Sequence, residues 1–107
     1  MPTDPKQGEV WIVDFGMVAK QRPVLILAYP QPNDARALVV VAPLTSQARG
    51  FRGEVDIGKP HWLPKPSAVN IQGLASIDHH ALIRKLGSLP ATQLAEVKDA
   101  IRDLFAL

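Results

Sequence analysis

The sequence predicts a mainly β domain with one C-terminal α-helix, in which roughly five to seven short strands roll into a small, strongly twisted barrel or sandwich and the helix packs across it. Short β-branched runs separated by glycine, proline and charge fill the first three quarters of the chain, and residues 90–107 change to a helical apolar period. With 107 residues and 47% hydrophobic content the chain can bury one core and not two, so residues 1–107 read as a single domain. It has no internal repeat, low-complexity stretch or linker.

The strands follow in order. "GEVWIVDFG" alternates Val10 and Ile12 with Trp11 and Val13, a strand apolar on both faces near its middle, with Trp11 assigned to the core. "RPVLILAYP" is a second β-compatible run closed by Pro30, and "ALVVVAPLTS" is a third, ended by proline and hydroxyl residues. "GMVAKQ" is a short connector, and "PQPNDAR" is dense enough in turn formers to make a tight surface loop, so the first half reads as an antiparallel meander. After Thr45 the short strand "GEVDI" stands alone among glycine, proline and charge. Residues 58–66, with two lysines, Trp62 and three prolines, read as a stiff exposed loop in which Trp62 is a candidate for base stacking or partner binding. "SAVNIQGLASID" supplies one or two strands with a bulge or kink at Gly73, and Asp78 is suited to cap a single turn over "HHALI". In "PATQLAEVKDAIRDLFAL", Leu94, Val97, Ile101, Leu104 and Phe105 fall on one helical face, and Pro90 suits the first turn.

Composition excludes several chemistries. The chain has no cysteine, so disulfides and thiolate metal sites are ruled out, which fits a reducing cytoplasm. No apolar run reaches the ~20 residues that span a bilayer, and "MPTDPKQGEV" lacks the basic start and apolar stretch of a signal peptide, so a soluble, unprocessed chain is expected. A formal charge of +2 permits a nucleic-acid partner without indicating one. Neither a phosphate-cradling glycine motif nor H-E-x-x-H is present. His79 and His80 are adjacent and on a helix would point about 100° apart, and His61 is distant in sequence, so no metal site and no cofactor are expected.

In that order, "GEVWIVDFG", "RPVLILA", "VVVAPLTSQ", "SAVNIQGLASID" and "RKLGSL", followed by a terminal helix, resemble the MazF/PemK (Kid) family of toxin endoribonucleases from bacterial toxin–antitoxin pairs. The resemblance spans roughly residues 7 to 107, and its most specific pieces are "RPVLI" and "PLTS" at this separation after a G-E-V-W opening. It implies an SH3-like, CcdB/PemK-type β-barrel and a homodimer in the cytoplasm. It also implies sequence-specific cleavage of single-stranded RNA (mRNA) without a metal, and a cognate antitoxin whose segment blocks the RNA groove.

Carried over by motif, Arg22 is the arginine of "RP" and Thr45 the hydroxyl residue of "PLTS", with Ser46 beside it; the resemblance places these in the active site. The residue types suit the chemistry. An RNA 2′-OH is already a nucleophile beside its own phosphorus, so alignment and charge stabilisation are what an enzyme must add. A guanidinium offers planar, permanently charged donors to the phosphoryl oxygens, and hydroxyls add further donors. Lys20, Gln21, Gln47, Arg49, Phe51 and Arg52 are candidate RNA contacts, as cations and aromatic faces are what hold single strands; Phe51 reads equally well as core. Asn70 and Gln72 join them because some members carry an arginine and an aspartate at those places. The family's common D-Q-I-R-T-V-D is here "QGLASID", so an arginine is also lost at Ala75. These departures leave open a weak or silent RNA- or antitoxin-binding relative. A CcdB-like gyrase poison is the other alternative, and the ending "RDLFAL" lacks the tryptophan segment by which that relative binds.

Overall fold

The computed structural model describes residues 4–14 and 21–107. Seven strands and one α-helix follow in the order β1 (Glu9–Val13), β2 (Arg22–Ala28), β3 (Leu38–Thr45), β4 (Glu54–Gly58), β5 (Ser67–Asn70), β6 (Ala75–Asp78), β7 (Leu82–Ser88) and α1 (Ala91–Phe105). All strand pairs are antiparallel. The pairing path runs β4-β5-β3-β2-β1-β7, and β6 joins β3 off that path.

Strand β3 organises the sheet. On one edge it pairs with β2 from Val40 to Pro43. On the other it receives β6 along Leu38–Val41 and then β5 at Leu44 and Thr45. A 3₁₀ turn, Ile71–Gly73, carries the chain from β5 to β6 around this edge. Gly73 is required there, because a Cβ would lie 2.7 Å from the Pro43 ring. The expected kink at Gly73 is therefore a close approach of one backbone to a neighbouring proline. Among the described residues β4 does not pair with β7, so the seven-stranded sheet is not closed, which is consistent with the barrel-like fold expected.

The sheet is apolar on both faces, as the alternation in β1 predicts. Val10, Leu25 and Ala42 face one core together with Val55 and Ile57 of β4, Val69 of β5, Ile71 and Val97 of α1. Val13, Val24, Ile26, Val39 and Val41 face a second, flanked by Trp11, Tyr29, Ile77 and Leu82. Each such side chain contributes about 1.5–3 kcal/mol on burial. Trp11 is half-buried at the edge of the second core, its indole N–H donating to Glu9 Oε1 at 3.0 Å.

Three expectations change at the C-terminal side. The turn after Asp78 is a three-residue 3₁₀ turn, His79–Ala81, capped by Asp78 Oδ1, which accepts from the His80 N–H at 2.8 Å. Residues 82–88 then form β7 against β1, a strand that local periodicity did not reveal because the pairing with β1 decides it. In α1 only Val97 is fully buried; Phe105 is 51% exposed, since the helix ends there, with Ala106 in the left-handed region. No helix among the described residues is long and apolar enough to cross a membrane.

Candidate active site

Arg22 opens β2 and Thr45 closes β3. Extending the Val24 to Pro43 register by two residues sets Arg22 across from Thr45, whose other side is paired with Ala68 of β5. Pro23 restricts the residue before it to extended backbone, so the "RP" pair holds Arg22 in strand geometry at the very edge of the ladder. The guanidinium has no ion pair or hydrogen bond among the described residues, so its donors are available.

Thr45 leaves the sheet through a tight turn. Its hydroxyl oxygen accepts from the Gln47 N–H at 3.0 Å, which fixes the oxygen and leaves the hydroxyl proton to donate elsewhere. Arg22, Thr45, Ser46 and Gln47 line a cleft of about 510 Å³ together with Leu63, Pro64, Lys65 and Ser67. A second hollow of about 420 Å³ adjoins it through Ser46 and Ser67 and is lined by Glu54 and Asp56. Among the described residues no carboxylate or imidazole lines the first cleft.

The remaining sequence candidates are distributed more widely. Gln21 is exposed next to Arg22, and Lys20 lies outside the described residues. The loop carrying Arg49 wraps a carboxylate: the N–H groups of Arg49, Gly50 and Phe51 all donate to Glu54 Oε1, at 2.8, 2.7 and 3.3 Å. Phe51 projects from this loop and is 70% exposed, which excludes the core reading. Arg52 is turned toward the end of α1, where Nε donates to Asp103 Oδ2 at 3.1 Å and Nη2 donates to the Asp103 and Leu104 carbonyls. Asn70 ends β5, about 10 Å along the strand from Ser67, and Gln72 covers Gly53 from the following turn; neither lines the cleft.

Lys65 lines the cleft although it had no place among the site residues expected from sequence. The signal was a loop cation between two prolines, in a stretch read as stiff and exposed. That loop is anchored from beneath: Leu63 is 4% exposed, its N–H donates to the Pro60 carbonyl at 3.0 Å, and Trp62 lies half-buried over Gly87. Trp62 is thus packed against the first core, where the sequence suggested an aromatic free to stack on a base or partner.

Adjacent histidines were expected to diverge, an argument that assumed an α-helix. In the 3₁₀ turn the His79 and His80 rings sit 4.0 Å apart, and with Asp78 their ligand atoms lie within 4.8 Å of one another. The His80 N–H bonds the Asp78 carboxylate and holds its pKa below the usual range. This group pairs at Leu38, the end of β3 opposite to Thr45, and so stands about 20 Å from the cleft.

Residues 6–105 match the family model described as "PemK-like, MazF-like toxin of type II toxin-antitoxin system". Endoribonuclease MazF3 of Mycobacterium tuberculosis is 33% identical over 95 residues, covering 89% of this chain and 92% of that protein. The structure is similar to that of the M. tuberculosis toxin MazF-mt6, with a TM-score of 0.75 and 31% identity over 92% of this chain and 97% of the other. It is also similar to a MazE-MazF structure from Deinococcus radiodurans, with a TM-score of 0.78 and 27% identity over 99% of each chain.

Proposed function

The chain belongs to the PemK-like, MazF-like toxin family, and from that premise we propose that it is the toxin of a type II toxin–antitoxin pair, an endoribonuclease that cuts single-stranded RNA in the cleft between Arg22 and Lys65. The observation that carries the site is the juxtaposition of a guanidinium unpaired among the described residues with an oriented hydroxyl at the ends of neighbouring strands.

The RNA supplies its own nucleophile. The 2′-oxygen forms a bond to phosphorus and the 5′-oxygen bond breaks, giving a 2′,3′-cyclic phosphate and a 5′-OH. Arg22 donates to the phosphoryl oxygens on which negative charge grows, and Thr45, its oxygen held by the Gln47 N–H, adds a hydroxyl donor. Ser46, next in the chain, lines the same cleft. The 2′-OH loses its proton as it attacks and the 5′-oxygen gains one as it leaves, and among the described residues no carboxylate or imidazole lines the cleft to carry either transfer. A permanent cation covers the charge a metal would otherwise neutralise, and the reaction runs without one.

Gln47 contacts the strand within the cleft, while Gln21, Arg49 and Phe51 extend the surface on either side, with Phe51 as a stacking face. The protein acts in the cytoplasm as a homodimer and is silenced by a cognate antitoxin, a reading supported by the MazE-MazF assembly of its Deinococcus relative.

Incubation of the wild type and of Arg22→Ala with a long single-stranded RNA in EDTA, followed by mapping of the ends, tests this reading. Cleavage at a short recurring sequence with cyclic phosphate ends, reduced about 10²–10³-fold in the variant, is expected. RNA left intact by the folded wild type overturns it.

A further inference from the structure

We propose that Lys65 is a second substrate cation of this cleft, binding the RNA backbone alongside Arg22; this rests on the reading of the cleft as an RNA site. Two observations point to it. The first is charge. Among the described residues the cleft is lined by two cationic side chains, Arg22 and Lys65, neither engaged by an acidic partner, and the rest of the described lining is neutral. Two uncompensated positive charges lining one hollow of about 510 Å³ make an anion site, and the anion of a single-stranded RNA is its phosphodiester.

The second is the way the lysine is delivered. A surface lysine on a free loop would spread its charge over many positions. Here the loop is fastened just before Lys65 by the burial of Leu63 and the seating of Trp62 on Gly87, where a Cβ would run into the indole ring. Just after it, Ser67 Oγ donates to the Lys65 carbonyl at 3.1 Å. Pro64 and Pro66 restrict the backbone on both sides. The exposed side chain of Lys65 thus lines the cleft from a fixed root. Lys59, at the start of the same loop, is also exposed but does not line the cleft.

The chemistry divides the two cations. Arg22 lies in register with Thr45 and has the planar fork that matches a charged phosphoryl group in a fixed orientation. Lys65 is a flexible point charge, suited to tracking backbone phosphate. Removal of Lys65 therefore weakens substrate binding and leaves turnover of bound substrate little changed, whereas removal of Arg22 lowers turnover.

The test separates this role from catalysis by using RNA that cannot be cut. A fluorescein-labelled 2′-O-methyl oligonucleotide of mixed sequence is titrated with the wild type, Lys65→Ala, Lys65→Arg, Lys59→Ala and Arg22→Ala, by anisotropy at salt concentrations between about 50 and 200 mM. Thermal melts establish that each variant is folded. Lys65→Ala is expected to weaken binding about 3–10-fold and to flatten the slope of log K against log salt by about 0.7, the contribution of one single-strand phosphate contact. Lys65→Arg should restore both, and Lys59→Ala should change neither. Unchanged affinity and slope in Lys65→Ala overturn the proposal, as does an equal effect in Lys59→Ala, which would mean diffuse surface charge. RNA bound by the wild type but never cleaved would sink the nuclease reading while leaving the lysine's role decided by the same slopes. No binding by the wild type overturns both.

Discussion

Thr45→Val isolates one hydroxyl at nearly constant volume. In the fold the Thr45 oxygen accepts a single hydrogen bond, from the Gln47 N–H at 3.0 Å in an exposed turn. Water can replace that partner, so the stability lost is about 0.5–1 kcal/mol, a drop in Tm of about 2–6 °C for a domain of this size. In the reaction the same hydroxyl donates to a phosphoryl oxygen that gains charge in the transition state, and the loss of one such donor costs about 10²–10³ in turnover. Stability and turnover should thus separate clearly. The assay is a fluorophore-quencher RNA carrying the mapped cleavage sequence, run with excess enzyme so that the chemical step is read, alongside a thermal melt. Thr45→Ser keeps the donor and should retain activity within about tenfold of the wild type. If Thr45→Val cuts at more than half the wild-type rate, the hydroxyl is only a turn-former and the proposed role is wrong.

Two further predictions concern the scaffold. Gly87→Ala places a methyl group against the Trp62 indole, and overpacking of this kind costs about 1–3 kcal/mol; the melt should fall accordingly, and binding of uncleavable RNA should weaken as Lys65 loses its fixed root. Glu9 is partly buried, which alone would raise its pKa, but the Trp11 indole N–H, the Lys6 N–H and the Lys85 ammonium more than offset this and hold it below the usual carboxylate range. A depressed pKa means that the carboxylate stabilises the fold above its unfolded value of 4.5 and that this contribution fades as the pH falls through the folded value. Glu9→Gln should therefore be less stable than the wild type at neutral pH, and the gap should close in melts taken below about pH 4.

Much of this protein was legible one residue at a time. The alternation in "EVWIV" set a strand with two apolar faces, and both cores are indeed built on it. Asp78 was read as a cap and is one, because an aspartate before a turn finds its N–H donors within two residues. The "RP" and "PLTS" pieces pointed to Arg22 and Thr45 through the family resemblance, and local chemistry accounts for their backbone setting: proline holds the preceding residue extended, and a threonine at a strand end bonds its own turn.

What the sequence could not supply was adjacency between segments far apart in the chain. Arg22 and Thr45 meet only because β2 and β3 pair in one register, and Lys65 meets them only because β5 lies on the other edge of β3. The fate of aromatic and charged side chains was decided in the same way. Trp62 found Gly87 and Arg52 found the end of α1, while Phe51, in as mixed a local sequence, found nothing and stayed in solvent. Local pattern fixes what a residue can do over a few bonds; which distant surface is there to meet it depends on the register of the sheet, and hydrophobic burial on both faces sets that register for the whole chain at once.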